Sequence, residues 1–160
     1  MTDTHTSDSA EQRALEAAVL PLLSEQYGVE LTPATLDLGE GVRPQVDGVS
    51  ADRNVLVEFY GHVGPLKGGQ PKKLVADAFK LVWLGRRLGA TVLVIAVVDQ
   101  PAYSYLTNPR GLAAAALRDF GVTVTLVALD AADHARIVAV QARQAEGMRG
   151  SGPGIGPTTG

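Results

Sequence analysis

Apolar and polar residues alternate in two short runs near the middle of the chain, and the rest of the pattern is arranged around them. In the first, Gln45, Asp47 and Val49 alternate with Val46, Gly48 and Ser50. In the second, residues 55–61, Val57 and Phe59 fall on one side and Glu58, Tyr60 and His62 on the other, since strand side chains repeat every two residues. A turn at 50–54 makes the runs a hairpin and sets Asp47 and Glu58 on neighbouring strands. A preceding strand is expected at 35–38. After a glycine-rich loop, Leu74, Val75, Ala78, Phe79 and Val82 recur at helical spacing over 71–88, opened by Pro71 and closed by Gly89. Residues 91–98 (TVLVIAVV) are apolar on both faces, the mark of a central strand covered by helices.

The flanks follow the same logic. Ser9 and Gln12 suggest a capping box for a first helix ending near residue 26, with Leu15, Val19, Leu22, Leu23 and Gln26 on one face and a kink or break at Pro21. Asn108-Pro109 reads as N-cap and first turn of a helix that Gly121 closes. Residues 122–129 form a less buried strand, and Asp130 caps a last helix to about residue 146. The segment 99–111, with Tyr103, Tyr105 and Arg110, reads as a loop. The expected order is helix, three strands, helix, strand, helix, strand, helix: one α/β domain over 9–146. Residues 1–8 and the Gly/Pro-rich tail 147–160 are expected to be disordered.

Composition narrows the classes. A chain of 160 residues suits one domain with a real core. No apolar run is long enough to cross a bilayer, and the start has neither a basic end nor an apolar stretch of secretory type. Cysteine is absent, which excludes disulfides and thiolate metal sites and fits a cytoplasmic protein. A net charge of −3 argues against a broadly basic nucleic-acid coat but leaves room for a local basic patch.

Such a patch exists. All four lysines, Lys67, Lys72, Lys73 and Lys80, lie in one stretch, and Asp77 is the only acid between Lys67 and Arg87. Two carboxylates on adjacent strands repel each other unless a cation or proton lies between them. A carboxylate pair beside a cluster of lysines is the arrangement expected where a bound cation meets an anionic substrate. There is no G-x-G-x-x-G, no G-x-x-x-x-G-K-[ST] and no G-x-S-x-G, and His5, His62 and His134 make no zinc pattern.

From about Ala10 to Val98 this succession resembles the PD-(D/E)XK nuclease superfamily, whose core is a helix, a three-stranded meander, a helix and a further strand. Asp47 matches the signature Asp and Glu58 the (D/E). Two positions depart from the signature: Val46, not proline, precedes Asp47, and Tyr60 stands where the lysine belongs. The resemblance implies a restriction-endonuclease-like three-layer core, extended by helix–strand–helix, in a Mg2+- or Mn2+-dependent nuclease acting on DNA, with RNA as the second choice. It makes Asp47 and Glu58 metal ligands. Some members supply the lysine from the following helix. Lys73 is expected to do so here, with Gln70 beside it, Lys72 and Lys67 as fallbacks, and Lys67, Lys72 and Lys80 on phosphate.

Each residue also has a plainer reading. Asp47 before glycine suits a turn, His62 suits a surface strand end, and Lys73, Asp77 and Lys80 suit a solvated helix flank. Phe79 and Trp83 read as core rather than as a base-stacking platform. Two further functional readings stay open. One is a catalytically degenerate member of the same fold that binds nucleic acid or protein, as a homodimer or with a partner. The other is a small Rossmann-like ligand-binding domain using Asp99.

Overall fold

The computed structural model describes residues 3–150, with side chains from Ala10 onward. The order is α1 (Asp3–Tyr27), β1 (Thr32–Thr35), β2 (Gln45–Val49), β3 (Val55–Tyr60), α2 (Gln70–Leu88), β4 (Val92–Val97), α3 (Gln100–Thr107), α4 (Leu112–Asp119), β5 (Val122–Leu126) and α5 (Ala131–Arg149). This is a mixed α/β fold, with one more helix than the sequence suggested. The strands form one open mixed sheet in the order β1-β2-β3-β4-β5. β1, β2 and β3 run antiparallel as a meander, whereas β3, β4 and β5 are parallel. Among the described residues, no helix is long and apolar enough to cross a membrane.

Helices cover both faces. On one side Val19, Leu20 and Leu23 of α1 and Ile137 of α5 pack on Val55, Val57, Val94 and Ala96. On the other, Leu74, Ala78, Leu81 and Leu84 of α2, with Ala102, Leu106 and Leu117 of α3 and α4, pack on Leu56, Tyr60, Leu93, Ile95 and Val97. β4 contributes to both cores, as its doubly apolar sequence requires.

Several local expectations give way. α1 begins at Asp3, so Ser9 lies inside it rather than capping it, and Pro21 is contained within one continuous helix. Leu22 is exposed on α1, and Leu20 takes its place in the core. α5 runs to Arg149, past the expected start of the tail. Residues 1–2 and 151–160, also expected to be disordered, lie outside the described residues. β1 falls at Thr32–Thr35, ahead of the expected 35–38. Residues 100–107, expected as loop, form α3, opened by Asp99 and carrying Pro101 in its first turn. Asn108 is therefore a helix C-cap, and Gly111 precedes α4.

The buried stripe of α2 is turned by about one residue from the expected one (roughly 100° per residue). It consists of Leu74, Ala78, Leu81, Leu84 and Gly85, while Val75 and Phe79 are exposed. Gly85 explains the rotation, since a Cβ there would stand 3.0 Å from both Leu93 methyl groups. The helix lies close on the sheet along this line, and Phe79 is carried outward.

Gly48 makes a comparable close approach on β2. An added Cβ would meet Leu20 Cδ2 at 2.9 Å and Val57 Cβ at 3.3 Å, and the latter is fixed to the neighbouring strand. Gly48→Ala should destabilise the domain by about 1–3 kcal/mol through overpacking. A urea midpoint unchanged from wild type would contradict this.

Candidate functional site: a carboxylate pair at a bulged hairpin

β2 and β3 pair through Gly48 with Val57 and Val49 with Leu56. Continued by one residue, that register sets Asp47 opposite Glu58. The backbone ladder stops there, and Asp47 Oδ2 takes its place by accepting the Phe59 N–H at 2.8 Å. On its other side β2 carries an irregularity against β1, where Thr32 faces Val49 but Ala34 faces Val46. β2 thus has one extra residue at Asp47–Gly48. Such a bulge re-aims side chains locally, and it explains why Val46 and Val49 reach the same core.

Glu58 lies on the α2 side of β3 with Leu56 and Tyr60 and is only 4% exposed. Burial, then the neighbouring Asp47 and more weakly Asp77, push its carboxyl up to about 7, and Lys80 only partly opposes them. The Lys80 ammonium stands 2.8 Å from Glu58 Oε1 and donates to the Gln45 carbonyl oxygen at 2.8 Å. Distance rather than alignment carries the contact with Glu58, whose Oε1 lacks a directed hydrogen bond. Glu58 is therefore poised between charged and neutral forms at physiological pH.

This has a thermodynamic sign. The folded carboxyl holds its proton up to about pH 7, against 4.5 as the unperturbed value. Its contribution to stability is complete below the lower value and is lost as pH rises through the upper one. Glu58→Gln should flatten this slope by on the order of 3 kcal/mol, so the variant gains on wild type between pH 5 and pH 8. Parallel urea-stability profiles for the two proteins over that range would rule this out.

Glu16 of α1, not singled out from the sequence, joins the group. Burial and the nearby Asp47 raise its carboxyl, while Gln12, Arg13 and Lys73 oppose the shift. Only the fold could reveal it, because a single glutamate on a helix has no local signature. Asp47 and Glu16 line a groove of about 890 Å³ between α1 and the β1–β2 edge, with Arg13, Thr35 and Gln45.

The other expected residues are distributed differently. Lys73 pairs with Asp77 at 2.8 Å, so Lys80, not Lys73, makes the ion pair with Glu58. The side chain of Gln70 is committed to its own loop: Oε1 accepts from the Lys67 backbone N–H at 2.7 Å, and Nε2 lies 3.2 Å and 3.3 Å from the His62 ring nitrogens. His62 is held below its usual range, chiefly by burial. Its ring packs tilted on Tyr60 at 5.9 Å. The Tyr60 hydroxyl is buried without a hydrogen-bond partner, and burial pushes it up to about 12, so it offers no charge where the signature lysine would stand. Lys67 and Lys72 are exposed.

The 61–69 loop is pinned rather than loose. The Gln141 side-chain amide brackets Val63, accepting from its N–H at 2.7 Å and donating to its carbonyl at 2.8 Å. Asp99 Oδ2 accepts the Gly64 N–H at 2.6 Å. That use of Asp99 as a loop anchor weighs against its role in a Rossmann-like ligand site. A cavity of about 640 Å³ opens beneath the loop, with Gln12, Tyr60, His62, Gln70, Lys73 and Arg136 on its walls. Glu58 and Lys80 do not line it, so the cavity stands beside the carboxylate pair and does not enclose it. Tyr103 and Tyr105, expected on a loop, sit on α3 half-packed against the core.

Among the described residues, no group of three or more His, Cys, Asp or Glu side chains could together hold a metal ion. Asp47 and Glu58 stand opposite each other on the hairpin and interact through charge, with Lys80 paired to Glu58 and Glu16 beside Asp47. Comparison of the chain with protein-family models, with curated proteins and with solved structures found no match.

Proposed function

We propose that the protein is a divalent-metal-dependent nuclease of the PD-(D/E)XK type, with its lysine supplied by helix α2. The observation that carries this reading is the Asp47–Glu58 pair at a bulged antiparallel hairpin, with the Lys80 ammonium 2.8 Å from Glu58. The meander, the following helix and the parallel fourth strand agree with the restriction-endonuclease-like core.

The donor set fits Mg2+ or Mn2+. Mg2+ is commonly bound through one or two carboxylates, with water and substrate phosphate completing its shell. Asp47 and Glu58 would hold it, and a carboxyl titrating near 7 can give up its proton to a cation at neutral pH. Bound there, the metal would supply an activated water and charge stabilisation at the phosphate. Lys80 adds a fixed positive charge on the same side, where negative charge develops during phosphodiester cleavage. DNA is the preferred substrate.

The runner-up is a degenerate member that binds without cleaving, favoured by the neutral Tyr60 at the lysine position. Incubation of DNA with the protein and Mn2+ should shorten or nick it, and chelation should stop the reaction. A protein that takes up no Mn2+ by calorimetry and cleaves neither DNA nor RNA would leave the binding module as the surviving reading.

A further inference from the structure

The outer face of α2 carries an aromatic row that the nuclease reading does not use. Val75, Phe79 and Trp83 succeed one another at four-residue spacing and are 47%, 77% and 40% exposed. Lys72 precedes them, and Arg86 and Arg87 follow. Arg86 stands 5.9 Å over the ring of Phe120, itself 53% exposed, so a further ring lies at the end of the row. The exposed stripe contains no acid. Lys72 has no ion-pair partner among the described residues. On the adjoining flank of the same helix lies Lys80, paired with Glu58.

We propose that this stripe is a stacking platform for single-stranded nucleic acid. The idea rests on the nuclease reading only for where the bound strand is delivered. Phe79 and Trp83 are separated by about 6 Å along the helix, four residues at 1.5 Å each. Neighbouring bases in a duplex strand repeat at about 3.4 Å and have no free faces. Rings at the wider spacing can each take one base of an extended strand, and stacking accepts any base because every base has a π-face. The flanking Lys72 and Arg87, with Arg86 over Phe120, match a phosphate backbone in charge. A second copy of the chain fits poorly. Two such stripes would face each other with like charges, and three apolar side chains on one helix fall far short of the ~800 Å² per partner typical of a stable interface.

Trp83 is the sole tryptophan, so its fluorescence reports on this stripe alone. The full chain is titrated with oligothymidylate in chelator, where no metal-dependent cleavage can occur. Saturable quenching of Trp83 is expected. Phe79→Ala should weaken binding roughly tenfold or more, and Phe79→Tyr should restore it while Phe79→Leu does not, which separates stacking from simple apolar contact. Lys72→Ala should reduce the salt dependence by about 0.7 in log–log slope.

Absence of quenching would overturn the proposal. So would equal quenching by polyglutamate, which would point to an acidic peptide, or a Trp83 shift that grows with protein concentration alone, which would point to a second copy. Quenching with no metal-dependent cleavage of this strand, of duplex DNA or of RNA would uphold the platform and remove the nuclease. Cleavage without quenching would do the reverse.

Discussion

Asp47→Asn and Glu58→Gln are each expected to abolish Mg2+- or Mn2+-dependent cleavage, with losses of roughly a thousandfold or more, while leaving the fold intact. On the proposed reading each change removes one of two anionic ligands, and among the described residues no third His, Cys, Asp or Glu side chain joins them to hold a metal. The remaining carboxylate would be left to hold the ion through water and substrate alone. Neither substitution should unfold the domain. Glu58→Gln removes a carboxyl that burial and Asp47 already drive towards neutrality. Asp47→Asn keeps an oxygen that can accept the Phe59 N–H. Circular dichroism should be unchanged, and Mn2+ calorimetry should lose its signal in both variants. Equal Mn2+ binding by wild type and both variants would place the metal elsewhere and end the case for this site.

Lys80→Met is expected to cost roughly a hundredfold in turnover, against only a few-fold for Lys73→Met. Methionine keeps an unbranched apolar stem in place of the half-buried lysine and removes only the charge. The effect should appear mainly in kcat. Lys80 also holds down the Glu58 carboxyl, so its loss should move the acidic limb of the metal-binding profile upward in pH. Lys73 has its ammonium on Asp77 and is largely exposed, so its removal should act mostly through substrate affinity and salt dependence. If Lys73→Met proved the more damaging, α2 would have to present its lysines differently in the substrate complex.

These two lysines also mark where the sequence stopped being informative. The order of elements apart from α3, the hairpin, the adjacency of Asp47 and Glu58 and the interior place of β4 in the sheet followed from alternation, glycine punctuation and a doubly apolar run. Which flank of α2 meets β3 did not. Helical spacing gives two neighbouring stripes that are apolar in almost equal measure, one through Val75 and Phe79, the other through Leu81 and Gly85. The choice is made by Gly85 packing against Leu93, a contact between residues on different elements. Once that stripe turns inward, Lys80 falls beside Glu58, and Phe79 and Trp83 reach solvent. The bulge at Asp47 was hidden for a similar reason, since it is defined by pairing with β1. Glu16 enters the group only because α1 crosses the open side of the hairpin. Helix α3 was missed because its polar and aromatic residues (QPAYSYLT) resemble loop composition, although Pro101 after Asp99 was a legible start.

A lysine carried by a helix has a consequence that one carried by a strand does not. On β3 its position would be fixed by the sheet, whereas on α2 it moves with the helix. Sliding α2 by one turn, about 5.4 Å, would bring Ala76 or Asp77 to Glu58 in one direction and Trp83 or Leu84 in the other. The first exchange brings a methyl group or a second negative charge, and the second an indole or a leucine, against a buried carboxyl. The Lys80 clasp on Glu58 and the Gln45 carbonyl therefore acts as a register lock, joining α2 to two strands at a single setting. Whatever displaces the helix, whether a ligand on its outer face or a change of charge at Glu58, must open the Lys80–Glu58 pair in the same movement.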